Sequence, residues 1–251
     1  MENQEQNLSK KQLKELRKQT KLEKRESEQN RKKTSSIIIW SAVIIFLGGT
    51  IALMAGLASK KSTNSYLGST VQAADDNDWI KGAPIKEARI NLIEYSDFQC
   101  PACASYQPMI KQLAQDADLK DKVSIIYRHF PLSQHLNARP AAQAAEAAGK
   151  QGKFWDMHDL IFINQDNWKD QKNAMDFFIG LAKTLSLDIE KFKTDYDSKE
   201  VKDKIQKDFA SGVAAKIDST PTFYLNRQRI QNPKNYDEFK RIIQRAIDSN
   251  S

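Results

Sequence analysis

The sequence predicts an α/β domain that carries an all-helical insertion and is preceded by a single membrane-spanning helix. Three observations carry this reading. Apolar, β-branched runs at 90–95 and 123–128 enclose a helical pattern. Residues 138–215 then show helical spacing with no strand signal. Far upstream, 37–58 is a run of 22 residues without a charge, enough to cross a hydrocarbon core of about 30 Å at about 1.5 Å per residue.

The elements follow in order. Residues 1–34 are polar, with eleven Lys and Arg before position 34 and only Leu8, Leu13, Leu16 and Leu22 as sizeable apolar side chains. So little apolar surface cannot offset the entropy of ordering, and a solvated tail is expected; attraction to anionic lipid is the functional alternative. Residues 35–58 are expected to be a retained anchor. A cleaved signal competes with this, although its apolar region usually runs about 7–15 residues. The basic tail outweighs Lys60 and Lys61 beyond the span, which places the N-terminus in the cytoplasm and the rest outside. Disulfides persist in that compartment. Residues 59–79 are rich in Ser, Thr, Asn, Gly and Asp and read as a flexible linker. The domain proper is expected over 80–249. The net charge of +7 belongs entirely to residues 1–61, so the domain makes no electrostatic case for nucleic acid.

Within the domain, 90–95 is the first strand and Pro101 to Gln115 the first helix, with Pro108 expected to kink it. Strand 123–128 completes a βαβ unit. Ala-rich 141–148 has high helix propensity. The aromatic sets around Phe154, Trp155 and Phe162, and around Phe177 and Phe178, recur at helical spacing and read as core. Strand 222–225 turns at Asn226-Arg227-Gln228 into Arg229-Ile230. An amphipathic helix from Tyr236 to Ile247 follows, with Phe239, Ile242, Ile243 and Ala246 on one face.

Between the first strand and its helix stand the chain's two cysteines, Cys100 and Cys103, separated by Pro101 and Ala102. A helix N-terminus presents unpaired N–H groups and a positive dipole end, which favour a thiolate there. Pro101 suits a first turn that needs no N–H. Half a zinc site is the competing reading, but zinc takes four ligands. His129, His135 and His158 are the other soft donors, and a packing or surface role is expected for each. Thiol–disulfide exchange is therefore the favoured chemistry, with Cys100 the nucleophile and more exposed sulfur and Cys103 the buried, resolving one. For Asp97 two readings stand, electrostatic tuning of the pair and a plain position in the connecting loop, and the loop is preferred.

Four motifs make the case more specific. They are Glu94-Tyr95-Ser96-Asp97-Phe98-Gln99-Cys100-Pro101-Ala102-Cys103, Arg128-His129-Phe130-Pro131-Leu132, Gly152-Lys153-Phe154-Trp155-Asp156-Met157-His158 and Ser219-Thr220-Pro221-Thr222-Phe223. In this order, across 80–248, they resemble the membrane-anchored thiol–disulfide oxidoreductases of the DsbA family. The resemblance implies a thioredoxin-like fold, a central mixed sheet flanked by helices, in which 138–215 caps the core near the cysteines. It implies that Pro221 is a cis-proline facing the pair and that Thr220 offers backbone groups to an extended client. It also implies that Glu94 takes or relays the proton of the buried cysteine.

No cofactor or metal beyond the redox-active pair is expected. The expected partners are extracytoplasmic proteins with thiols, a separate redox partner that recycles the pair, and the membrane through the anchor. One departure bears on strength: the family's strongest oxidants carry a histidine between the cysteines, and this chain has Pro101-Ala102. Oxidase action is expected. A reductase or isomerase, a metal carrier and a peptide-binding chaperone remain as alternatives.

Overall fold

A computed structural model describes residues 66–249. The tail 1–34, the anchor 35–58 and the first part of the expected linker lie outside the described residues. Among the described residues no helix is long and apolar enough to cross a membrane.

The described strands are β1 (Tyr66–Thr70), β2 (Trp79–Gly82), β3 (Ile90–Ser96), β4 (Val123–His129), β5 (Thr222–Leu225) and β6 (Gln228–Ile230). They form one sheet in the order β1-β6-β5-β3-β4-β2. Only β3 and β4 run parallel; the other neighbouring pairs are antiparallel. The two parallel strands carry much of the core, with Ile90, Leu92, Ile93, Val123, Ile125 and Ile126 all buried, as expected of strands covered on both faces. The expected linker is corrected here: β1 pairs with β6 inside it, and Val71 is 3% exposed. Strand β2, which pairs with β4, was likewise not expected. Each is five residues or fewer and polar in part, so the amide ladder, and not a row of apolar side chains, defines it.

The helices are α1 (Pro101–Gln115), α2 (Ala138–Gly149), α3 (Phe154–Ile163), α4 (Gln165–Trp168), α5 (Met175–Thr184), α6 (Ile189–Tyr196), α7 (Lys199–Ala214) and α8 (Tyr236–Ser249). Helix α1 continues through Pro108. The stretch 138–215 is helical as expected, and its aromatics are core: Phe154, Phe162, Trp168, Phe178 and Phe192 join Phe98, Tyr127 and Cys103 in one apolar cluster. The alanines of α2 let its neighbours approach closely, and all but one face of that helix is buried. Helices α1 and α8 cover the rest of the same sheet face through Ile110, Leu113, Phe239 and Ile243. On the opposite face Ile93, Tyr95, Ile126 and Tyr224 pack with Phe130, Ala215 and Ile217. The β5–β6 turn places Asn226 and Arg227 at φ +46 and +76, the left-handed pair a two-residue hairpin requires.

Candidate active site

Strand β3 ends at Ser96, and Asp97-Phe98-Gln99 carry the chain into α1. Cys100 is the N-cap of that helix, with extended backbone (φ −74, ψ 120), and Pro101 occupies the first turn. Cys103 thus falls one turn in. Both sulfurs are free, and both residues are buried. Cys103 is 0% exposed and Cys100 only 7%. The expected order holds, but Cys100 is less open than its position at a helix start suggested, because the loop at Thr220 lies over it. The Thr220–Pro221 bond is cis, and Cys100 Sγ lies 3.4 Å from the Thr220 carbonyl oxygen, to which a thiol there can donate.

The site separates the acidities of its two thiols. The Cys103 thiol donates to Cys100, and this is the largest influence lowering the Cys100 pKa to about 5. Burial opposes the shift, while the backbone N–H groups of Cys103 and Ala102 at the helix start assist it. Burial pushes the Cys103 thiol well up, and the neighbouring Cys100 and Glu94 add to that. An acidic outer sulfur above a reluctant inner one is what a nucleophile and a resolving thiol need.

Glu94 lies beneath the pair on β3 and is 1% exposed. Burial raises its carboxyl to about 7, partly offset by the amide of Gln107 on α1, whose Nε2 donates to Oε1 at 3.3 Å. Its register partner on β4, Tyr127, is equally buried. A carboxyl that changes charge near neutrality beside the buried thiol can accept or supply a proton there.

Asp97 and two polar side chains that sequence reasoning passed over hold the loops together. Asp97 is in the loop, as expected, yet is 1% exposed. Its Oδ1 accepts from the Gln99 N–H at 2.7 Å, and its Oδ2 accepts from the Leu132 N–H at 2.8 Å. Gln165, on the insertion, donates to the carbonyls of Phe98 and Cys100 at 2.7 and 3.1 Å. Asn232 donates to the Pro221 carbonyl at 2.7 Å. No periodicity marks such residues, and Gln165 stands among the polar Asn164, Asp166 and Asn167, so no local signal singled it out.

The three histidines are dispersed, each against a carboxylate. His129 meets Glu146 at 2.8 Å, His135 meets Asp97 at 2.7 Å, and His158 meets Asp159 at 2.8 Å. Among the described residues no cluster of three or more His, Cys, Asp and Glu side chains is placed to hold a metal.

Comparison with known proteins agrees with this geometry. A family model described as thioredoxin matches residues 76–245. A probable disulfide bond formation protein D of Bacillus cereus is 30% identical over 216 residues, covering 84% of this chain and 94% of that protein. A Na(+)/H(+) antiporter NhaA 3 of Salinispora tropica is 31% identical over 205 residues, covering 78% of this chain; the chain spans 30% of that antiporter's length. Among solved structures, oxidised BdbD from Bacillus subtilis superposes with a TM-score of 0.62 at 25% identity, covering 72% of this chain and 98% of BdbD.

Proposed function

Because this chain belongs to the DsbA-like, thioredoxin-fold family of thiol–disulfide oxidoreductases, we propose that it oxidises client protein thiols to disulfides outside the cytoplasm. The observation that carries the reading is the pairing of an acidic Cys100 at the helix N-cap with a buried Cys103 below it.

In the oxidised protein a client thiolate attacks Cys100 Sγ. The Cys100–Cys103 bond breaks, a client–Cys100 bond forms, and Cys103 leaves as a thiolate that takes up a proton, with Glu94 as the nearby donor. A second client thiolate then attacks the first client sulfur and expels Cys100. The client loses two electrons, the pair gains them, and a redox partner must remove them. Cys100 is a good leaving group because its thiolate is stabilised, and a stabilised thiolate also favours the reduced protein, hence oxidation of clients. Thr220 and Pro221 would flank an extended client beside Cys100. The chemistry requires no cofactor beyond the cysteine pair.

The experiment is trapping. Cys103→Ala should accumulate mixed disulfides with reduced clients on Cys100, and Cys100→Ala should give none. Equal trapping by both variants would contradict the assignment. The charge asymmetry about the apolar span supports the proposed compartment. Protease added to intact spheroplasts should digest the domain and spare the basic tail; a domain that stays protected until lysis would refute that orientation.

A further inference from the structure

We propose that His135 tunes the redox poise of the cysteine pair through Asp97, its ring bonded to a buried carboxylate on the residue whose main chain contacts both cysteines. The inference rests on the thiol–disulfide reading above. It concerns a positioning residue, since His135 acts through Asp97 and the loop that Asp97 anchors.

The main chain of Asp97 reaches both cysteines. Its N–H is directed at Cys103 Sγ at 3.5 Å, and its carbonyl accepts from the Cys100 N–H at 3.1 Å. Its carboxylate is 0% exposed. A carboxylate out of water keeps its charge only when it is hydrogen-bonded and paired. The N–H groups of Gln99 and Leu132 and the His135 ring supply the bonds, at 2.7, 2.8 and 2.7 Å. Of these three donors, only the imidazole can bring a whole positive charge. The charge of Asp97 is felt nearby, since it helps to raise the phenol of the buried Tyr127 together with Glu94 and Cys103.

His135 also differs from its two counterparts in access. Its side chain is 20% exposed, whereas those of His129 and His158 are 1% and 2% exposed. It therefore sits where a buried anion next to the active-site turn meets solvent.

The signs are opposed and so can be separated. An uncompensated Asp97 disfavours a nearby thiolate and so favours the disulfide form of the protein. Charge on His135 cancels that influence and makes the domain a stronger oxidant. Removing either partner thus pushes the equilibrium in contrary directions. Simple loosening of the loop would push both the same way.

The test is equilibration of the wild-type domain and four variants in glutathione buffers. His135→Gln keeps a donor to Oδ2 without the charge, and should shift the equilibrium toward the protein disulfide. The expected size is about ten- to thirtyfold, as for one charge about 8–12 Å away at an effective dielectric constant of about 20. Asp97→Asn should shift it toward the dithiol, and the double variant should return toward wild type. His135→Lys, which keeps a positive charge, should hold the wild-type value and decides the matter alone if Asp97→Asn does not fold. Shifts of the same sign in both single variants, or none in variants with wild-type circular dichroism, would overturn the proposal. A wild-type domain that never equilibrates with glutathione would instead overturn the functional reading on which it rests.

Discussion

Glu94 is ionised at a cost that depends on pH, and this gives a test at the level of one side chain. Its carboxyl is raised from 4.5 to about 7 by burial. A raised carboxyl pKa stabilises the fold below the unfolded value, near 4.5, and that stabilisation is lost as pH rises through about 7. At about 1.36 kcal/mol per pKa unit, the loss is on the order of 3 kcal/mol. Glu94→Gln removes the titration while keeping a polar partner for Gln107. Denaturant unfolding of reduced protein should therefore find the variant about 3 kcal/mol more stable than wild type at pH 8 and equal to it at pH 4. A constant difference across that range would mean that Glu94 is not held neutral by burial. If the carboxyl also serves Cys103, thiol exchange by the variant should be slower near pH 7.

At the level of elements, strand β2 ties the helical insertion to the sheet: the Ile80 carbonyl accepts from Trp155, Lys81 pairs with Asp159, and Trp79 packs into the insertion. Trp79 stacks on Phe154 with ring centroids 4.3 Å apart, and its Nε1–H donates to Glu146 on α2 at 2.7 Å. Gly149, the last residue of α2, leaves the space the indole fills: a Cβ there would lie 2.4 Å from the Trp79 ring. Gly149→Ala should displace the indole and reduce stability by about 1–2 kcal/mol, overpacking outweighing the gain in helix propensity. An unchanged or raised melting temperature would show that Trp79 is free to move. This contact also shows why the sequence disclosed its fold unevenly. Strands 90–96 and 123–129 and the helices of 138–215 were legible because their apolar periods are long and clean. Strands β1 and β2 were not, because short edge strands are defined by the partner that accepts their amide ladder. At the site, residue types, order and motif singled out Cys100, Cys103, Glu94, Thr220 and Pro221, which the structure places near one another. The burial of Asp97, its bond to His135 and the reach of Gln165 were not, since each joins positions 30 or more residues apart that no local pattern relates.

For the whole molecule, the proposal is of a redox domain held at a membrane by its N-terminal span, with no net charge of its own. Attachment would limit the clients it meets, while the cysteine pair would set the direction in which electrons flow. Cys100 is acidic at about 5, short of the most acidic Cys-x-x-Cys thiols at about 3.5. The Pro101-Ala102 dipeptide supplies no histidine to the thiolate, which agrees with that intermediate value. Acidity and oxidising power rise together. The reduction potential of the wild-type domain, measured in glutathione buffers, is therefore the most direct test. It should lie between that of thioredoxin, about −270 mV, and that of DsbA, about −120 mV, and Ala102→His should raise it. A potential at or below the thioredoxin value would contradict an oxidase and make this protein a donor of electrons to its clients.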